Sequence, residues 1–256
     1  MKIKTVATAQ RKENPKMELR WFTRRPRLPG NHSRRIGVWV RALAVGAATT
    51  VAVECSAATW YFPGPSTNAT PLQFTAIGGG GRHSVAVLPN HTVTAWGDDS
   101  LGQTNVPGGL NNVFSVAAGE AHSLALHFGE GDPPAAWGDN SYGQSTVPPG
   151  LTDVVAVAAG GWHSLALRPS GDVVAWGDNR SGESFVPGDL FNAVAIAAGA
   201  SNSLALKADG TVEAWGDNTF GQSTVPAGLS NVTAIAAGQR HSLALKADGT
   251  VVVWGD

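Results

Sequence analysis

The sequence predicts an all-β fold, a β-propeller of four-stranded blades about 39 residues long, because two markers recur in phase. The tripeptide Trp-Gly-Asp recurs with its Trp at 96, 137, 176, 215 and 254, giving spacings of 41, 39, 39 and 39 residues. His-Ser recurs at 83, 122, 163 and 241, with Asn202-Ser203 filling the remaining slot, in steps of 39, 41, 39 and 39. A period near 40 residues is the signature of a repeat architecture.

Within one repeat the strands follow from turn chemistry. Around Asp248-Gly249 an apolar run, a tight-turn dipeptide and a second apolar run follow one another. Asp-Gly between β-prone stretches is the strongest short-range hairpin signal, so Leu243–Lys246 and Thr250–Trp254 are expected to pair antiparallel. The same hairpin reads around Asp209-Gly210 and Ser170-Gly171, whereas the second copy, His127-Phe128-Gly129-Glu130-Gly131-Asp132-Pro133-Pro134, implies a looser turn. The segment Val232-Thr233-Ala234-Ile235-Ala236-Ala237 is rich in Ala, which suits an inner strand where several strands crowd together round an axis. The first such inner strand reads as Phe74–Gly79. Gln-Ser-Thr-Val-Pro is expected as the outermost strand, since an edge strand tolerates a proline.

A Trp recurring once per blade on a strand is expected to fill the space between neighbouring blades. The Gly-Asp-Asn that follows suits a turn, with Gly taking unusual dihedrals and Asp or Asn bonding nearby amides. His83, His122, His163 and His241 sit at equivalent points of successive blades, which does not by itself make them converge on one ion, and Asn202 in the same slot suits hydrogen bonding better than ligation. No cofactor or metal site is expected. The sequence contains no Cys-x-x-Cys, His-Glu-x-x-His, phosphate loop or Gly-x-Ser-x-Gly.

The elements Gly-x-x-His-Ser-x-Ala-Leu, Asp-Gly-x-Val and Trp-Gly-x-Asn-x-x-Gly-Gln resemble the repeats of the regulator of chromosome condensation family, over roughly residues 74–256. The short repeat, and Ala-Trp-Gly-Asp-Asn-x-x-Gly-Gln-Ser-Thr-Val-Pro in particular, is similar to the bacterial, secreted β-lactamase-inhibitory propellers of that family. The resemblance implies a protein-binding role. The founding eukaryotic member is a nuclear exchange factor for a small GTPase, with longer repeats and a basic tail.

The charges divide sharply. Residues 1–58 hold 12 Lys and Arg against 3 Asp and Glu, and residues 59–256 hold 6 against 16. An acidic propeller is a poor binder of phosphate backbones, so nucleic acid is not an expected partner. The basic start leads into Ile36–Val53, apolar apart from Arg41, and then Cys55-Ser56-Ala57-Ala58. Basic, apolar and small-residue regions in that order describe a secretory signal, with Met17 an alternative start. The chain is therefore expected to be secreted, periplasmic or on the cell surface, with 1–58 as signal and 59–256 as propeller. The alternative is an uncleaved membrane anchor, the only route by which a membrane enters, although the clean apolar stretch Ala42–Val53 is shorter than the roughly 20 residues a spanning helix needs. Cys55 is the only cysteine, so an intramolecular disulfide is excluded.

Five blades lie within the four to eight that propellers use. The fifth copy reads as short of its outermost strand, and Thr59-Trp60-Tyr61-Phe62-Pro63 has the character to supply it and close a five-bladed ring. The rival reading is part of a seven-bladed ring, as the resemblance implies, with apolar faces left to associate.

The function read from the sequence is non-catalytic binding of a protein partner, since no acid pair stands out from the turn aspartates. The variable residues lie in two loop classes: between Ala-Ala-Gly and His-Ser, and after Trp-Gly-Asp-Asn. In the inhibitory propellers that the chain resembles, these loops supply the binding aromatics. Arg82, Tyr142, Trp162, Arg180, Phe220 and Arg240 are the candidate contacts, because exposed aromatic and Arg side chains on loops make interface anchors. The target class that the resemblance suggests is a cell-wall or secreted enzyme. The alternatives are an intracellular GTPase-regulating propeller, a propeller enzyme and a structural surface module.

Overall fold

The computed structural model describes residues 73–129 and 131–256. The basic N-terminal region, the apolar stretch, Cys55 and Thr59–Pro63 lie outside the described residues. Every described element is a strand, and the fifteen strands form five antiparallel three-stranded sheets. The first blade holds β1 (Ala76–Gly79), β2 (His83–Val87) and β3 (Val93–Gly97). The second holds β4 (Val113–Ala118), β5 (His122–His127) and β6 (Ala135–Gly138), and the third β7 (Ala156–Ala159), β8 (His163–Leu167) and β9 (Val173–Gly177). The fourth holds β10 (Ala193–Ala198), β11 (Asn202–Lys207) and β12 (Val212–Gly216), and the fifth β13 (Val232–Ala237), β14 (His241–Lys246) and β15 (Val251–Gly255). Chain order is sheet order throughout.

The hairpins form where the turn residues placed them. In the fifth blade Gly249 N donates to Lys246 O, and Lys246 N to Thr250 O. Gly249 takes φ +83°, so the connection is a type I turn closed by a left-handed residue, the three-residue hairpin geometry. Asp248 Oδ1 holds the far side by accepting from Thr250 N at 2.9 Å and Thr250 Oγ1 at 2.6 Å. The second blade departs as its prolines require, with 128–134 as the longer loop between β5 and β6. In the first hairpin His91 occupies the left-handed position at φ 62°, where the last three blades have Gly.

The expected fourth strand is not formed. Residues 140–151 instead run through three successive turns, closed by Gly143 N to Asn140 O, Thr146 N to Gly143 O and Leu151 N to Pro148 O. These amides are spent locally, the prolines lack a donor, and the Gln144 carbonyl is taken by side chains of the next blade, so a regular ladder is not formed. The fifth sheet has the same three strands as the others.

These turn-rich straps are part of the core. Each of four apolar clusters joins one blade to the next and contains one Trp. At the junction of the fourth and fifth blades, Leu204, Leu206 and Val212 meet Val232, Ile235 and Trp254, with Val225 and Leu229 of the strap packed alongside. Fully burying one such aliphatic side chain contributes about 1.5–3 kcal/mol, so the junctions hold most of the apolar stabilisation. The inter-blade role expected of the tryptophans is observed for Trp137, Trp176, Trp215 and Trp254, all buried, whereas Trp96 in the first blade is partly exposed.

Candidate protein-binding rim

The rim is positioned by a relay of hydrogen bonds that crosses every junction. Ser123 and Trp137 are cross-strand neighbours in the second blade, and both donate to one acceptor, Gln103 O, at 3.0 and 2.9 Å. The pattern repeats for Ser164 and Trp176 on Gln144 O, Ser203 and Trp215 on Glu183 O, and Ser242 and Trp254 on Gln222 O. Because each serine has spent its proton, its oxygen is left to accept. Accordingly His83 Nε2 donates to Ser123 Oγ at 2.8 Å, His122 Nε2 to Ser164 at 3.0 Å and His163 Nε2 to Ser203 at 2.9 Å. Asn202 supplies the same N–H from Nδ2 to Ser242 Oγ at 3.2 Å. The recurrent slot requires a donor, which explains why Asn replaces His there.

The relay fixes the tautomer: Nε2 carries the proton and Nδ1 is bare. Among the described residues, His83, His122 and His163 Nδ1 and Asn202 Oδ1 are buried without a partner. Burial pushes the His122 pKa down to about 3, helped by the neighbouring His163 and His83, and that of His163 to about 4. His83 is lowered by the same desolvation. These rings are neutral struts. A Cβ at Gly160 would overlap the His163 ring, so the glycine of Ala-Ala-Gly makes room for it.

Both variable loop classes emerge at one end of the sheets. Asp139 N donates to Ala121 O, Asp178 N to Trp162 O and Asp256 N to Arg240 O, tying each Gly-Asp turn to the loop of its own blade. Gly177 takes φ +100° to make this corner, and a Cβ there would meet Trp162 O. The turn aspartates behave as the sequence indicates. Asp139 Oδ1 accepts from Ser141 N and Oγ, and Asp217 Oδ1 from Thr219 N and Oγ1. These bonds outweigh the partial burial of Asp139 and hold its pKa below the ordinary carboxylate range; Thr219 does the same for Asp217.

The structure brings five of the six candidate side chains into two groups. Tyr142 and Trp162 meet edge to face with centroids 6.3 Å apart, and the Arg180 guanidinium lies 4.4 Å over the Tyr142 ring. Arg240 covers the Phe220 ring at the same 4.4 Å. Tyr142, Arg180, Phe220 and Arg240 are exposed and Trp162 is half-buried. Arg82 is exposed on the first blade and joins neither group.

Arg180 is also engaged from below. Its Nε and Nη2 form a fork on Asp178, with Nη2 to Oδ2 at 2.7 Å. In the neighbouring straps Gln144 Nε2 donates to Asp139 and Gln222 Nε2 to Asp217, but Glu183 has no such N–H. The arginine replaces the missing donor and neutralises a carboxylate, a compensation visible in sequence only when straps are compared position by position.

The opposite end carries an aromatic group that the repeat pattern does not mark. Phe114 and Phe128 pack with their rings tilted by 30° and centroids 4.5 Å apart, with His91 edge-on to Phe128 at 6.3 Å. Phe128 is 63 % exposed and lines an open cavity of about 360 Å³ with Pro107, Leu110, His127 and Asp132. The departure of the second hairpin was the available signal.

The regulator of chromosome condensation (RCC1) repeat matches residues 154–183, 193–222 and 232–256. No curated protein sequence matches the chain. Among solved structures, human WBSCR16 superposes with TM-score 0.61 at 22 % identity, over 76 % of this chain and 69 % of that one. Prp20p of Saccharomyces cerevisiae, described with its binding to Gsp1p and histones, gives TM-score 0.59 at 24 % identity. The match covers 70 % of this chain and 56 % of Prp20p, so the chain spans little more than half of that relative. The CRINKLY WD40 ectodomain of the Arabidopsis thaliana receptor kinase ACR4 gives 0.58 at 25 % identity, over 72 % of each chain. With five repeated sheets and a donor relay between each blade and the next, the chain has a β-propeller architecture, and its residues 154–183, 193–222 and 232–256 are RCC1 repeats.

Proposed function

We propose that the protein works by binding a protein partner through the rim that carries Arg82, Tyr142, Trp162, Arg180, Phe220 and Arg240. The observation that carries this reading is the gathering of Tyr142, Trp162 and Arg180 from two different loop classes into one cluster. Rigid aromatic and Arg side chains on a fixed scaffold are the anchors that dominate interface energetics. Catalysis is not part of the proposal, because Asp139, Asp178 and Asp217 are held ionised by turn donors and are poorly suited to donating a proton. The finer proposal, resting on the N-terminal sequence and the short repeat, is a secreted protein that inhibits a cell-wall or exported enzyme.

The test is quantitative capture of partners from the host by the wild type and by Trp162→Ala with Tyr142→Ala. Loss of a captured partner by at least about tenfold, with folding intact, supports the rim; unchanged capture removes it. A second reading, regulation of a small GTPase, draws on Prp20p and its Gsp1p partner. N-terminal sequencing of the native protein separates the two: a start near Thr59 in the exported fraction favours the secreted reading, and an intact basic N-terminus inside the cell favours the GTPase reading.

A further inference from the structure

The repeat supplies its own control, because what the fold needs at a given position can be read from the other blades. Around the second hairpin, at the end away from the rim, three residues depart from that control. Phe128 stands where the fourth and fifth blades have Ala208 and Ala247, whose amides make the same bond to an Asn carbonyl. Phe114 stands at the position filled by Thr75, Val155, Val194 and Thr233 in the other inner strands. His91 stands where the last three hairpins have Gly. These three side chains converge, Phe128 meeting both the Phe114 and the His91 rings. The junction of the first two blades closes on Val85, Val113, Val116 and Trp137 without them. Phe128 remains 63 % exposed. Residues that break the local pattern without filling the core mark a functional site.

Phe128 is the apolar platform of the open cavity, whose volume of about 360 Å³ lies in the range of small-molecule sites. Phe114 and His91 hold the platform in place. Asn111, Asn112 and Asp132 line the same cavity. Asn111 Nδ2 donates to Gly109 O at 3.0 Å, leaving Oδ1 to accept. The Asn112 side chain makes no hydrogen bond among the described residues and offers two N–H donors and an acceptor. Asp132 lies 3.9 Å from the His127 ring with its side chain 59 % exposed, so carboxylate oxygen remains open to a ligand. His127 Nε2 donates to Pro133 O at 3.1 Å and ties the loop back to its strand.

We propose that this cavity binds carbohydrate, namely a β-1,4-linked glycan chain. A pyranose packs its C–H face on an aromatic ring while its hydroxyls both donate and accept, which uses the ring, the amides and the carboxylate together. A cation would use the ring and Asp132 but leave the Asn112 N–H groups without an acceptor. A wholly apolar ligand would strand all three polar side chains. The β-1,4 linkage keeps successive pyranose faces flat, and the open cavity lets such a chain run past the platform. The inference stands apart from the rim reading and uses none of its side chains.

The test is titration calorimetry of the full chain with cellohexaose and chitohexaose, and with hexalysine as the cationic probe. Saturable binding of at least one of the two glycans is expected. Phe128→Ala is expected to weaken it about tenfold or more, and Asp132→Asn and Asn112→Ala each about three- to tenfold. Alanine already occupies the Phe128 position in two other blades, so that variant is expected to fold, which thermal melting checks. Phe128→Trp is expected to retain binding, and Tyr142→Ala on the rim to leave it unchanged. Failure of the wild type to bind either glycan, binding that survives intact in Phe128→Ala, or uptake of hexalysine in place of the glycans overturns the proposal.

Discussion

His163 and His241 begin the same His-Ser-Leu-Ala-Leu strand, yet they occupy different physical worlds. The first is buried between the third and fourth blades, with its N–H on Ser203 and its pKa near 4. The second is half-buried on the fifth blade, and among the described residues no serine meets its ring. Trp176 and Trp96 differ in the same way, one sealed with its indole N–H on Gln144 O, the other 39 % exposed and stacked on Phe74. The motif is therefore only half of a device, and the neighbouring blade supplies the rest.

This contrast can be broken most severely at the tryptophans. Trp176→Ala is expected to cost about 3–5 kcal/mol, by lost burial and the cavity it leaves. Trp96→Ala is expected to cost about 1 kcal/mol, and comparing denaturant midpoints of the two variants checks the difference. Acid is the next lever. His122 and His163 stay neutral in the folded protein down to about pH 3 and 4, whereas the unfolded chain protonates them near pH 6.5. Stability is thus expected to be unaffected by them above pH 6.5 and to fall as pH drops below it, each with a limiting slope of about 1.4 kcal/mol per pH unit. Thermal melts between pH 7 and 4.5 measure this, and His163→Asn should reduce the slope by removing one proton site while keeping the donor.

Smaller effects sharpen the comparison. His163→Leu deletes a buried donor and is expected to cost about 1–3 kcal/mol, whereas His241→Leu is expected to leave the midpoint of the isolated chain nearly unchanged. Asn202→His restores the ring to a slot that already uses an N–H, and its effect is expected to stay within about 0.5 kcal/mol.

The period, the hairpins and the inter-blade role of the Trp were legible in the sequence because each follows from residues close together in the chain. Asp248-Gly249 sets its turn with its own atoms, and the Trp spacing needs no knowledge of partners. The strap was misread as a strand because Gln-Ser-Thr-Val-Pro has β-prone composition. Its fate depends on Ser164 and Trp176, which lie 20 and 32 residues away and claim the Gln144 carbonyl. On the candidate rim, the loop classes and all six side chains could be named from the repeat register. The pairing of Arg180 with Tyr142 and Asp178 could not be seen there, because it arises from Glu183 replacing the usual Gln.

Each junction draws its N–H from one blade and its acceptor serine from the next, so no blade is self-sufficient. Genetic removal or duplication of one whole period, cut at the same point in two copies, would join a leaving face to a receiving face of the same type. A cut out of phase would strand a donor, an acceptor or an indole at the seam. Recombination is thereby filtered by the structure, which tolerates changes in blade number and rejects changes in blade register.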